Sequence, residues 1–227
     1  MKIGVLLSGC GVYDGSEIQE AVLTMLAIKD AGHEYICISV DEKQHHVVDH
    51  TSGDEMKETR NMLVESARIA RGDIQEIGSV HPANIDAVVM PGGFGAAKNF
   101  STWAFAGPDG EILPKVKLFL VNMVNAGKPI CALCVSPVVV AKALEGSAIH
   151  PTLTLGSNNE PSPYDIDGFH AGIEKVGATS TAKGIKEISI DRENLIVSAP
   201  CYMFDTDILA VRNNIKMALE ATLVLCS

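Results

Sequence analysis

The sequence predicts an α/β protein whose mostly parallel sheet is doubly wound, with helices on both faces. Three observations point there. Short apolar runs recur along the chain, segments of helical period separate them, and glycine- or cysteine-bearing loops stand where strands pass into helices. Strands that are apolar throughout are buried on both faces, and a parallel sheet sandwiched between helices is the arrangement that covers them.

Taken in order, Lys2 to Leu7 is the first strand. Ser16 to Ala31 follows as a helix, with Ile18, Ala21, Val22, Met25, Leu26 and Ala27 at helical spacing and Gly32 as its stop. Tyr35 to Val40 is the second strand, and Met56 to Arg71 a second helix stopped by Gly72. Asp86 to Met90 is the third strand, ended by Pro91-Gly92-Gly93. Leu113 to Ala126 is helical, Pro129 to Leu133 is the fourth strand, and Pro137 to Leu144 opens a short helix with proline in its first turn. From Gly146 to Asp167 prolines and asparagines mark loop. A helix around Phe169 to Val176, strands at Glu187 to Ile190 and Leu195 to Ser198, and a helix from Asp207 to Leu225 complete the chain. No repeat or linker divides it, so residues 1–227 read as one domain.

Composition narrows the function. The 227 residues carry 18 Lys and Arg against 28 Asp and Glu, a net charge of −10, with 47% hydrophobic residues. Such a chain buries a core, and its negative charge argues against nucleic acid or anionic lipid as partner. No apolar stretch reaches the roughly 18 to 20 residues that span a bilayer. The opening MKIGVLLSGC has glycines where a secretory signal needs a longer apolar core, so it reads as a strand. Six dispersed cysteines fit reduced thiols, and the cytosol is the expected location.

Ligands in such folds bind beyond the carboxyl ends of the strands, which directs attention to three loops. In Ile130-Cys131-Ala132-Leu133-Cys134-Val135-Ser136-Pro137 an apolar strand passes straight into a helix with Cys134 at the join. Small residues two before and two after are what a strained nucleophile elbow needs, and a helix N-terminus is expected to lower the thiol's pKa. The alternative is a buried structural cysteine. The glycine-rich Pro91–Asn99 loop would lie beside the elbow if the two strands are neighbours, so that the N–H groups of Gly93 and Val135 form an oxyanion hole. The first loop opens its helix with two acids, Glu17 and Glu20. Either is a helix cap or an acid/base facing the thiol.

The blocks SGCGVYDGSEIQEA, RNMLVESARIARG, PGGFGAAKN and GKPICALCVSP together resemble the enhancing lycopene biosynthesis protein group, also known as sigma cross-reacting or isoprenoid biosynthesis proteins with an amidotransferase-like domain. That group lies within the PfpI and Parkinsonism-associated deglycase superfamily. The resemblance implies a flavodoxin-like, class I glutamine amidotransferase-like fold, commonly homodimeric. It implies a nucleophilic cysteine at Cys134, its acidic partner at Glu20 with Glu17 as the fallback, and an oxyanion role for Gly93. It also implies glyoxalase-type conversion of glyoxal or methylglyoxal to the hydroxy acid without glutathione, with a link to isoprenoid production.

One departure matters. Protease-like and glutaminase-like members place a histidine directly after the nucleophile or elsewhere as its base, whereas here Val135 follows and only His150 and His170 remain as candidates. This argues against peptidase or amidotransferase chemistry and leaves a small carbonyl compound as the expected substrate, with no cofactor or metal. The Gly9-x-Gly11 run is one residue too long for a dinucleotide fingerprint, and the His45, His46, Asp49, His50 group reads as solvated surface strand rather than metal site. Cys131 lies within its strand, so Cys10, in an adjacent loop, is the expected redox partner of Cys134. The competing function is a non-enzymatic redox sensor that uses the same Cys134.

Overall fold

The computed structural model describes residues 1–226. The first half of the chain runs β1 (Lys2–Leu6), α1 (Ile18–Asp30), β2 (Glu34–Ser39), α2 (Met62–Ile69), β3 (Ile74–Glu76), β4 (Ala87–Met90), α3 (Trp103–Ala106) and α4 (Pro114–Asn125). The second half runs β5 (Ile130–Leu133), α5 (Pro137–Leu144), β6 (Thr152–Leu153), α6 (Ile166–Lys175), β7 (Thr179–Ser180), β8 (Ser189–Asp191), β9 (Ile196–Ala199) and α7 (Ile208–Leu225). Seven strands form one sheet in the order β3-β2-β1-β4-β5-β9-β8, and β6 and β7 pair separately. Every contact in the large sheet is parallel except that of the edge strand β8 with β9. The expected α/β class with a doubly wound, mostly parallel sheet is therefore observed.

The strand order fans outward from β1 in both directions. Right-handed crossovers then put α1 and α2 on one face and α4 and α5 on the other, and α7 returns to pack on α1. The middle strands β4, β5 and β9 are buried along their whole length, which is why they read as uninterrupted apolar runs. Because β4 and β5 are neighbours paired through Val89↔Cys131 and Met90↔Ala132, the loops that follow them emerge side by side.

Local differences from expectation have identifiable causes. The second helix covers only Met62–Ile69 instead of Met56 to Arg71. Residues 56–61 are irregular instead of helical: Met56 N–H donates to Val47 O, Glu58 N–H turns back to Met56 O, and Asn61 caps α2 by accepting from Val64 N–H. The HHVVDH stretch is not a regular strand. It makes one isolated bridge, Val48 with Glu55, and His45 and His46 pack their rings against Phe105. Helix α6 starts three residues before Phe169, with Asp165 accepting from Gly168 N–H as its cap. Strands β3, β6 and β7 are two or three residues long, too short to leave a periodic signal.

Candidate active site

The join between β5 and α5 is a tight elbow. Cys134 has φ +56°, a left-handed conformation rare for a residue with a side chain and worth about 1–3 kcal/mol of strain. Its neighbours hold it there. Cys134 N–H donates to Ala199 O of β9 at 2.9 Å, and Ser136 Oγ donates to Pro91 O at 2.7 Å, lashing the elbow to the loop after β4. Ala132 and Ser136 are fully buried, so the small residues that flank the cysteine fill space no larger side chain could enter.

The loop after β4 lies against the thiol. A Cβ on Gly92 would come within 2.4 Å of Cys134 Cβ and 2.8 Å of Glu20 Oε2, so only glycine fits between the two groups. Gly93, at φ +96°, turns its N–H toward the Cys134 sulfur, and Val135 N–H faces the same atom. Helix α1 is docked here by its N-terminus. Glu17 N–H donates to Gly92 O, and the Glu17 carboxylate caps the helix by accepting from Glu20 N–H at 2.6 Å. Glu20, one turn on, is fully buried, with Oε2 accepting from Gly92 N–H at 2.8 Å and Oε1 from Tyr202 N–H at 3.2 Å. Its carboxyl faces the Cys134 thiol, for a Cβ on Gly92 would lie 2.8 Å from Glu20 Oε2 and 2.9 Å from the sulfur.

Burial governs the proton distribution. It pushes Glu20 up to about 8, helped by the Glu17 charge and opposed by the N–H groups of Tyr202 and Gly92. Glu17 is also raised, by burial. The Cys134 thiol is pushed upward too, by burial first and by Glu20 second, against the N–H groups of Gly93 and Val135. This corrects the expectation that the helix N-terminus lowers its pKa, because desolvation outweighs two N–H dipoles in a site this enclosed. At neutral pH the carboxyl and thiol therefore rest as a neutral pair.

A small cavity opens onto the sulfur. Cys134, Glu17, Gly93 and Val135 line it, with Glu20 behind the thiol, so the structure gathers five of the six sequence-selected residues at one point. Cys10 is not among them. It packs by α2 near Glu65 and Arg68, because β4 stands between β1 and β5. The cysteine close enough to Cys134 for the two thiols to influence each other is Cys201, fully buried in the turn after β9. Neither candidate histidine lines the cavity, and His150 Nδ1 is engaged with Gly177 O at 2.8 Å.

Sequence reading missed Tyr164, Phe169, Tyr202 and Met203, which complete the wall. A signal existed for two of them. Pro200-Cys201-Tyr202-Met203 follows an apolar strand parallel to β5, so its loop belongs to the same row of strand ends. Among the described residues, no group of three or more His, Cys, Asp or Glu could hold a metal, and no helix is long and apolar enough to cross a membrane.

A parallel sheet with a buried cysteine at the strand-to-helix elbow, faced by a carboxyl from the first helix, defines the class I amidotransferase-like α/β proteins. The chain belongs to the DJ-1/PfpI family, whose model matches residues 10–148. It is 39% identical to the human glutamine amidotransferase-like class 1 domain-containing protein 3, mitochondrial, over 99% of this chain and 83% of that protein. It is 38% identical to the Rattus norvegicus ES1 protein homolog, mitochondrial, over 97% and 84%. Among solved structures, an isoprenoid biosynthesis protein with amidotransferase-like domain from Ehrlichia chaffeensis superposes with a TM-score of 0.88 at 34% identity, covering 99% of both chains. These relatives correct one expectation. Curated relatives from rat, human and Danio rerio are named as mitochondrial, which conflicts with a cytosolic assignment, and dispersed cysteines do not tell the cytosol from an organelle interior.

Proposed function

We propose that this chain converts small 2-oxoaldehydes to 2-hydroxy acids through Cys134, without glutathione. The observation that carries this reading is the convergence on one sulfur of the N–H groups of Gly93 and Val135 and the Glu20 carboxyl. These are the nucleophile, oxyanion donors and proton shuttle that the reaction needs.

Loss of the first proton leaves Glu20 as carboxylate beside the thiol, since Glu20 is the more acidic of the two; it takes the thiol proton as the sulfur attacks, so that a thiolate stands beside the Glu20 acid. The thiolate adds to the aldehyde carbon, and the carbonyl oxygen becomes an oxyanion held by the two N–H groups. Glu20 gives it a proton. As carboxylate, Glu20 then takes the hydrogen from the former aldehyde carbon as a proton, leaving an enediolate, and returns that proton to the neighbouring carbon while the hydroxyl proton of the first carbon passes to the neighbouring oxygen. Collapse of the first carbon to a carbonyl gives the thioester of the hydroxy acid. Water attacks that thioester and Cys134 leaves as thiolate, so the net change is addition of one water. The link to isoprenoid biosynthesis printed in the name of the Ehrlichia chaffeensis protein belongs to the same proposal, as the metabolic setting.

The test is lactate formation from methylglyoxal by the wild type and by Cys134→Ala, in buffer free of thiols and amines. Saturable turnover that disappears in the variant supports the reading; turnover unchanged in the variant ends it.

The placement of Cys201 favours a second reading, a redox sensor. A peroxide would oxidise the Cys134 thiol to a sulfenic acid with release of water. The Cys201 thiol would then displace the sulfenic oxygen, which leaves as water, and form a disulfide. Mass analysis after mild peroxide discriminates: a loss of two hydrogens that is abolished in Cys201→Ser supports this reading, and sulfinic acid on Cys134 without any cross-link rejects it.

A further inference from the structure

The wall of the cavity carries more information than the reactive pair. Four aromatic rings, Phe94, Tyr164, Phe169 and Tyr202, border it, and Phe94 meets Tyr164 edge to face with centroids 6.0 Å apart. The one ionisable carboxyl on the wall is that of Glu17, and no Lys, Arg or His is among the lining residues. The nearby cation, Lys98, is occupied elsewhere: its Nζ donates to Tyr13 O at 2.9 Å and stands 5.4 Å over the Phe94 ring.

We infer that the substrates of this site are uncharged 2-oxoaldehydes with a flat apolar substituent, aryl in preference to methyl, and that anionic 2-oxoaldehydes are turned away by Glu17. This rests on the glyoxalase-type reading and narrows its substrate class. A methyl group leaves the aromatic wall in contact with water, whereas an aryl ring covers it and gains edge and face contacts with the surrounding rings. A carboxylate or phosphate on the substrate would lose its water, find no cation and face a like charge. Tyr164 adds no charge of its own, because burial pushes its hydroxyl up to about 12.

The experiment compares kcat/KM for methylglyoxal, phenylglyoxal and 4-carboxyphenylglyoxal, reading lactate or the mandelate product, with the wild type, Glu17→Gln, Tyr164→Ala and Tyr164→Phe. Phenylglyoxal should exceed methylglyoxal by about tenfold or more. The carboxylated ring should fall below phenylglyoxal on the order of a hundredfold, and Glu17→Gln should narrow that gap while keeping the helix cap. Tyr164→Ala should cost phenylglyoxal more than methylglyoxal, and Tyr164→Phe, which keeps the ring if the alanine variant misfolds, should retain the preference. Cys134-dependent turnover of methylglyoxal with no gain for phenylglyoxal, or equal rates for the neutral and carboxylated rings, overturns the inference and leaves the glyoxalase reading intact. No turnover of any of the three aldehydes overturns both.

Discussion

Glu20 on α1 and Cys134 at the β5–α5 elbow face each other across a single glycine: a Cβ on Gly92 would lie 2.8 Å from the carboxyl and 2.4 Å from Cys134 Cβ. The two groups stand about half the chain apart in sequence, and the gap between them is set by the absence of one methyl group.

Gly92→Ala is therefore expected to part the pair. The added methyl must displace the elbow or the buried helix, costing about 1–3 kcal/mol of stability. Turnover should drop on the order of a hundredfold, since an ångström of misplacement is enough for that. Urea melts and methylglyoxal kinetics on the same preparation check it, and a variant with wild-type turnover would contradict the described geometry.

Glu20 gives a pH signature of defined sign. Its folded pKa, about 8, lies above the ordinary 4.5, so between those values the folded protein binds more protons than the unfolded chain. Stability contributed by Glu20 is complete below about 4.5 and is lost as pH rises toward 8, by about 1.4 kcal/mol per unit at the steepest. Glu20→Gln removes this slope, so its stability relative to wild type should climb from pH 5 to 8 and then level. Wild-type turnover should rise over the same range as the pair loses its first proton. Denaturant titrations at several pH values and a kcat/KM profile test the two halves separately.

Ser136→Ala removes the hydroxyl that holds Pro91 O at 2.7 Å and leaves that buried carbonyl short of a partner. The expected cost is about 1–2 kcal/mol. Because Pro91 positions Gly92 and Gly93, kcat should fall by more than KM rises. Steady-state kinetics distinguish this from a loss of stability alone.

Asp207→Ala tests a helix end remote from the thiol. Asp207 Oδ1 accepts from Leu209 N–H and Ala210 N–H at 2.9 Å each, capping α7. Its loss should cost about 1 kcal/mol and lower Tm by roughly 2–4 °C, with turnover per folded molecule unchanged. Differential scanning calorimetry beside an activity assay checks both.

The parts of this molecule written locally are legible in its amino acids. An apolar run closed by Pro-Gly-Gly, and Pro137 opening a helix that ends at Leu144, need no distant partner to be recognised, and the Cys134 elbow follows from small residues at 132 and 136. The choice between Glu17 and Glu20 was not legible, because both lie in the first turn of one helix. Their roles divide once Gly92 N–H and Tyr202 N–H close on Glu20 and leave Glu17 as cap and cavity wall. The neighbour of the reactive cysteine was likewise a matter of strand order. Cys10 is excluded by β4, and Cys201 is brought in by β9, which pairs with β5 across some sixty-five residues of chain through registers such as Leu133↔Ala199. Hydrophobic period and turn chemistry act over a few residues and so survive in the linear order, whereas the pairing of distant strands, and the desolvation that raises the Glu20 and Cys134 pKa values, exist only after the sheet has closed.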